Sequence, residues 1–166
     1  MGVNITFLGG ANTVTGSKYL VRHDGHSLLI DCGLFQGYKQ LRLRNWTPLP
    51  IAPNAVNAVL LTHAHLDHSG YLPLLVKEGF GGPVYASAGT QALCKILLPD
   101  SGHIQEEDAA FANRHGLSKH APALPLYTRQ DALDCLHQIR MVPMHKTFQP
   151  IPGWRATLSG AGHILG

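Results

Sequence analysis

Four potential metal ligands lie within a short stretch of this sequence, where His63, His65, Asp67 and His68 form the pattern His-x-His-x-Asp-His. In an extended segment, residues two apart point in the same direction, so His63 and His65 can bind one ion together. A helix predicted to begin near Ser69 would direct Asp67 and His68 toward a second position. Zinc accepts imidazole and carboxylate ligands, as iron and manganese do less selectively. The pattern therefore predicts a metal site.

The alternative interpretation is that these residues are surface histidines at a strand end, or core histidines with satisfied hydrogen bonds. The apolar run at residues 55–61 predicts a strand buried on both faces, directly before the motif. Open α/β sheets place their sites at the carboxyl ends of such strands. Several ligand-type residues at this spacing and in this place favour the metal site.

The elements predicted to position this motif indicate an α/β fold, with helices covering a mixed sheet. Strands are predicted at residues 3–8, 18–22, 27–31, 55–61, 83–86, 139–142, 147–149 and 155–159. Helices are predicted at residues 71–77, at 88–116 with an interruption at Pro99, and at 128–138. The order strand, helix, strand over residues 55–86 predicts a parallel crossover. Asp24 and Gly25 predict a tight hairpin turn between the second and third strands.

Composition narrows the class of protein further. The chain has 166 residues, 45% of them hydrophobic and 14% charged, which is typical of one folded domain and excludes a disordered chain. The net charge of +3 is a mild indication of a polyanionic partner. No segment approaches the roughly 18 consecutive apolar residues of a membrane span, and the start has no signal pattern. We therefore expect a soluble, cytoplasmic protein with no membrane contact.

The three cysteines, Cys32, Cys94 and Cys135, are odd in number and lie in apolar surroundings. This predicts buried free thiols rather than a disulfide framework.

The stretch at residues 38–46 combines basic and aromatic side chains of the kind that binds single-stranded nucleic acid. A plain surface loop is nevertheless the interpretation that the sequence favours for that stretch. Its basic and aromatic members are Tyr38, Lys39, Arg42, Arg44 and Trp46.

The metal motif resembles the signature of the metallo-β-lactamase-fold hydrolases. Residues 28–33, Leu-Leu-Ile-Asp-Cys-Gly, are similar to the first motif of that family, and residues 160–163, Gly-Ala-Gly-His, resemble its third. Residues 7–17 and 100–108 resemble the β-CASP subgroup, the RNA-processing exonucleases and endonucleases related to ribonuclease J and the polyadenylation cleavage factor. The resemblance extends over the whole chain.

The resemblance implies an αββα sandwich and a zinc-dependent phosphodiesterase that acts on single-stranded RNA through a metal-activated hydroxide. It implies that one zinc is held by His63, His65 and His163, and that Asp67 and His68 contribute to a second. It also implies that Asp67 orients the hydroxide and accepts its proton. Asp31 is expected behind the ligands, where it steadies the histidine loop, because ligating histidines commonly donate their other N–H to a carboxylate. On spacing alone, the alternative for Asp31 is a strand-end aspartate in a turn, and the weightier alternative for His163 is a loop histidine.

The sequence also departs from the family pattern. The aspartate that bridges the two metals, the inserted β-CASP cap domain and its later histidines are not present among these residues. We therefore expect residues 1–166 to be the amino-terminal part of a metallo-β-lactamase domain, an incomplete αββα sandwich. Such a chain would firmly hold one zinc or none, where the complete enzyme would hold two.

Two other functions remain open at this point. The same metal motif serves hydrolases of thioesters and lactones in other branches of the fold, so it cannot by itself identify the substrate. The chain could also be an inactive, metal-binding fragment that self-associates into a homo-oligomer through an exposed sheet edge.

Overall fold

A single mixed sheet of six strands organises the molecule, whose computed structural model describes residues 2–166. The strands lie side by side in chain order, with the first three antiparallel and the third to sixth parallel. They are β1 (Asn4–Gly9), β2 (Lys18–His23), β3 (His26–Ile30), β4 (Ala58–Leu60), β5 (Val84–Ala86) and β6 (Ile139–Met141). The predicted parallel crossover is therefore confirmed between β4 and β5.

A two-residue turn joins β2 to β3, and the predicted hairpin is confirmed. Asp24 and Gly25 both have positive φ, at 48° and 76°, as a turn of the I′ type requires. The strands pair from His23 opposite His26 to Tyr19 opposite Ile30. This register fixes which residues of β3 face each side of the sheet.

Alternation along β3 and β4 divides the core between two faces of the sheet. Leu29 and Val59 face the main core, which is shared with the helices. Leu28, Ala58 and Leu60 face a smaller apolar cluster under a two-stranded sheet, β7 (Thr147–Phe148) with β8 (Ala156–Thr157). The observed layers are thus helices, a mixed sheet and a second small sheet, in agreement with the predicted α/β class.

The helices cover one face of the large sheet. They are α1 (Lys39–Leu43), α2 (Leu66–Ser69), α3 (Leu72–Lys77), α4 (Ala88–His115) and α5 (Arg129–Cys135), with short 3-10 turns at Arg44–Trp46, Pro53–Ala55 and Leu136–Gln138. Thr128 and Asp131 form the reciprocal capping box that starts α5, as predicted. Among the described residues, no helix is long and apolar enough to cross a membrane. All three cysteines are buried and free, as predicted.

Two predicted helix boundaries are wrong. The interruption at Pro99 does not occur. Helix α4 is 28 residues long and continues through Pro99, which is buried. Proline inside a helix removes one hydrogen bond, and the packing of α4 against α5 and the sheet outweighs that loss. The helix after the metal motif begins at Leu66 rather than near Ser69, so Asp67 and His68 lie inside its single turn.

Candidate metal centre

The predicted metal residues follow the carboxyl ends of two neighbouring parallel strands. Asp31 comes directly after β3, and the motif that starts at His63 comes shortly after β4. Asp31 is the hinge between the strand and the loop, with a positive φ of 59° that aspartate tolerates better than most residues. Its amide donates to the carbonyl of Leu60 at 2.9 Å, which extends the ladder by one bond. The two loops therefore leave the sheet side by side.

The Asp31 carboxylate is buried and ties the two loops together. Its Oδ1 accepts hydrogen bonds from the Thr62 amide at 2.8 Å and from the Thr62 hydroxyl at 2.9 Å. Its Oδ2 accepts from Ser17 Oγ at 3.2 Å and lies 2.7 Å from His68 Nδ1. Because Nδ1 of His68 donates to the carboxylate, Nε2 keeps its lone pair for a metal. Asp31 thus contacts the candidate ligand His68 on the side of its Nδ1.

Backbone contacts hold the single turn of α2 that carries Asp67 and His68. The Asp67 carbonyl accepts from the Ser17 amide at 2.8 Å, and the His68 carbonyl accepts from the Cys32 amide at 2.7 Å. Gly33 lies so close to this turn that a Cβ added there would overlap the Asp67 carbonyl. The glycine is therefore required for this approach, and the contacts explain why the helix begins before Ser69.

Three imidazoles converge above the sheet edge. His65 Nδ1 lies 3.0 Å from His63 Nε2 and 3.2 Å from His163 Nε2. One ligand atom from each of the three residues lies within 4.8 Å of the others. Zinc held tetrahedrally at its usual nitrogen distance would separate the nitrogens by roughly 3.3 Å. The donor set and its spacing therefore fit a zinc ion.

The surroundings of His63 and His68 shift the pKa values of these two side chains in opposite directions. Partial burial, followed by the positive charge of His68, lowers the pKa of His63. The neutral form that results is the form that binds a metal. Burial alone would lower the pKa of His68, but the hydrogen bond and the charge of Asp31 outweigh burial, so the pKa of His68 is raised.

Asp67 and His68 lie beside the three-imidazole cluster. The ring centroids of His63 and His68 are 4.0 Å apart, and Asp67 Oδ2 lies 3.6 Å from His68 Nε2. Asp67 is partly exposed, so its carboxylate is accessible to water. A cavity of about 530 Å³ opens beside His63 and His163, with Thr157 and Met144 among its lining residues. The cluster is therefore open to a substrate on this side.

His163 reaches the cluster on a glycine-rich loop that is fastened to the start of α4. The carbonyl of Gly166 accepts hydrogen bonds from Ser87 Oγ at 2.8 Å and from Thr90 Oγ1 at 3.3 Å. A Cβ added at Gly89 would come within about 3 Å of the Gly166 backbone. The first turn of α4 thus accepts the loop closely and without a side chain in between.

Sequence reasoning missed the residues that support the ligands. Thr62 and Ser17 bond Asp31, and Ser87 and Thr90 bond the loop of His163. Thr62 directly precedes the motif, and that adjacency was a usable signal. The sequence could also have identified Ser87 as the N-cap of α4, where its Oγ accepts a hydrogen bond from the Thr90 amide. Its contact with a residue almost eighty positions away required the fold.

Comparisons with known proteins find a matching family model and several relatives. A family model described as the metallo-beta-lactamase superfamily matches residues 12–131. Ribonuclease TTHA0252 of Thermus thermophilus is 47% identical over 105 residues, which cover 63% of this chain and 24% of that protein. Transcription termination factor FttA of Methanocaldococcus jannaschii is 31% identical, over 99% of this chain and 24% of its own length.

A eukaryotic relative also matches almost all of this chain but only a small part of its own length. Integrator complex subunit 11 of Gallus gallus is 30% identical, over 99% of this chain and 26% of its own length. The chain therefore spans about a quarter of the length of the curated relatives that it matches.

Proposed function

We propose that this chain, which belongs to the metallo-beta-lactamase superfamily, acts as a zinc-dependent phosphodiesterase on RNA. The observation that carries this proposal is the convergence of His63, His65 and His163, whose neighbouring nitrogens are 3.0 and 3.2 Å apart. RNA is favoured as the substrate because one relative is named a ribonuclease and the resemblance at residues 7–17 and 100–108 is to RNA-processing enzymes.

In this proposal the five ligand-type residues divide between two metal positions. His63, His65 and His163 hold the first ion, and Asp67 and His68 contribute to the second. A bound zinc supplies a Lewis acid that lowers the pKa of water and stabilises negative charge on phosphate oxygens. Asp31 keeps the His68 ring in the orientation and tautomer that leave Nε2 free, through the 2.7 Å contact with Nδ1.

Asp67 is the proposed catalytic carboxylate. It lies in the turn between the ligand His65 and the ligand His68, with its backbone fixed by Ser17. From this position its side chain orients the attacking water and accepts its proton.

The whole protein's organisation is also a proposal. We infer that residues 1–166 form the amino-terminal part of a metallo-β-lactamase domain, since the relatives are about four times longer than the part that matches. The free, buried thiols fit a reducing compartment, which supports the cytoplasm as the location.

The experiment that tests the function offers RNA and acyl substrates to the longest form of the protein that its gene encodes. A labelled oligoribonucleotide, a thioester and a lactone are incubated with zinc or manganese. We expect RNA cleavage that is lost on Asp67→Asn and His65→Ala and retained in His115→Ala, since His115 is exposed at the end of α4. Turnover of the thioester or lactone without RNA cleavage would instead support an acyl hydrolase.

A further inference from the structure

A groove runs along the outside of the molecule from the metal loop to Trp46. It has a volume of about 630 Å³ and lies between the segment at residues 34–46 and helix α4. Leu66, which stands between His65 and Asp67 in the chain, lines the groove, whereas Arg42 and Trp46 line it further along. The groove therefore begins at the turn that carries the proposed catalytic carboxylate.

The charge of one wall is suited to a polyanion. From residue 32 to residue 66 the chain contains no aspartate or glutamate, while Lys39, Arg42 and Arg44 are all exposed. Arg42 lines the groove itself. The opposite wall, on α4, carries Asp100, Gln105 and Asp108. A strand bound here would keep its phosphates on the side of residues 39–42 and turn its bases toward α4.

Aromatic side chains are exposed along the same segment. Trp46 exposes 57% of its surface and Tyr38 67%. Trp46 also lines a second cavity, of about 550 Å³, together with Leu43 and Leu124. Both volumes fall in the range of about 300 to 1,000 Å³ that is typical of small-molecule sites. A nucleobase can therefore stack on Trp46 from either cavity.

Hydrogen bonds and a ring contact fix the segment at residues 34–46, so its exposed side chains project from an ordered backbone. Asn45 Oδ1 accepts from the Phe35 amide and its Nδ2 donates to the Phe35 carbonyl, both at 2.8 Å. The Arg44 guanidinium lies 4.1 Å from the centre of the Phe35 ring. Thr15 Oγ1 further bonds both backbone groups of Gln36. A preorganised surface loses less conformational entropy when a ligand binds.

We propose that this groove binds single-stranded RNA next to the metal centre, with a base stacked on Trp46 and phosphates on Arg42 and Lys39. The proposal rests on the proposed function, because it assigns the path by which RNA reaches that site. Stacking on an aromatic ring and electrostatic contact with phosphates together are the usual mode of single-strand binding.

Tryptophan fluorescence tests the proposal directly, because the protein has two tryptophans, Trp46 and Trp154. A ten-residue oligouridylate is titrated into the protein in EDTA, so that no turnover occurs. We expect quenching in the wild type and in Trp154→Phe, and none in Trp46→Phe. Comparison of wild type with Trp46→Phe is sufficient if Trp154→Phe does not fold.

Anisotropy of the same labelled oligouridylate measures affinity. We expect Trp46→Ala to weaken binding about 10-fold, as loss of a stacked base does. Arg42→Ala should weaken it about 3-fold and reduce the dependence of affinity on salt. Arg155→Ala is the matched control, since Arg155 is exposed and does not line the groove, and we expect it to leave affinity unchanged.

The outcomes separate this surface from the catalytic proposal. Binding without quenching of Trp46, binding that Trp46→Ala does not weaken, or no binding at all would overturn the groove as an RNA site. A groove that another polypeptide covers in the longer protein would give the last of these results. Quenching of Trp46 without RNA cleavage in the metal-loaded wild type would leave the groove standing and contradict the proposed function.

Discussion

A small number of buried polar residues determines where the ligands lie. Asp31 is 2% exposed, yet its two oxygens bond groups from the residue before β2, from the loop after β4 and from α2. A buried carboxylate is stable only when such partners are present. The same contacts that satisfy Asp31 therefore fix the direction of His68.

Lys18 is a second buried charged residue, and it predicts how stability depends on pH. Its ammonium lies 4.6 Å from the centre of the Phe35 ring and 4.5 Å from that of Tyr71, with 1% of the residue exposed. Burial lowers the pKa of Lys18 from 10.5 to about 8. Between these values the unfolded chain carries a proton that the folded protein lacks, so this residue makes the folded state more stable as pH rises.

We therefore predict a pH-dependent difference between the wild type and Lys18→Met. From pH 8 to 9.5 the unfolding free energy of the wild type should rise by about 2 kcal/mol relative to that of the variant. Urea denaturation at several pH values measures both. Taking the difference removes the effect of the buried cysteines, whose raised pKa values act in the opposite direction in both proteins. A difference that stays constant with pH would contradict the burial of a neutral Lys18.

At the scale of elements, the start of α4 serves as the support for the loop of His163. Ser87 and Thr90 are buried and bond the Gly166 carbonyl, and Gly89 leaves room for the loop. The candidate metal centre thus lies where three parts of the fold meet, namely the ends of β3 and β4 and the first turn of α4.

Gly89→Ala should separate helix stability from metal affinity. Alanine favours the helix by up to about 1 kcal/mol over glycine, but its Cβ would press on the backbone of the loop. We expect a melting temperature that is unchanged or higher and a zinc affinity that falls about 10-fold or more, measured by competition with a chromophoric chelator. Gly81→Ala is the matched control, because nothing lies within 4 Å of its added Cβ. Equal zinc affinity in the two variants would show that the loop does not depend on this contact.

Local patterns were sufficient to predict much of the fold, and the exceptions have identifiable causes. The Asp24-Gly25 turn and the capping box at Thr128 follow from neighbouring residues, and both are confirmed. Pro99 was misread because tertiary packing decides whether a helix continues through a proline. The early start of α2 depends on hydrogen bonds from Ser17 and Cys32, which are distant in sequence.

The residues of the candidate site also divide into those that local patterns predict and those that depend on the fold. His63, His65, Asp67 and His68 could be selected by spacing, since an extended segment and one turn bring them together. His163 lies 98 positions from His65, yet their ring nitrogens are 3.2 Å apart. Only the resemblance to a family pointed to His163, because no local pattern relates residues at that separation.

At the scale of the whole molecule, one edge of the sheet is apolar and open. Within residues 2–166, β1 is the terminal strand of the sheet and pairs with β2 alone. Ile5 and Phe7 on it expose 53% and 61% of their surfaces. An exposed apolar edge strand is a template for pairing with a second copy.

We predict that this chain self-associates through β1. Light scattering during size exclusion should show a mass that rises with protein concentration in the wild type and stays monomeric in Ile5→Lys, because a charge on the edge opposes pairing. Val14→Lys adds the same charge at a residue that is 94% exposed and lies outside the strands. It should behave as the wild type does. A wild type that remains monomeric at every concentration would count against this edge as an interface.

The central claim is that His63, His65 and His163 form one zinc site, and native mass spectrometry tests it most directly. The purified chain, supplied with zinc in slight excess, should retain about one zinc ion per chain, because three histidines and a water complete the four-coordinate shell of a catalytic zinc site. His65→Ala should retain none, while His103→Ala, with its exposed histidine on α4, should match the wild type. A wild type that binds no zinc, or a His65→Ala variant that binds it equally well, would contradict the claim.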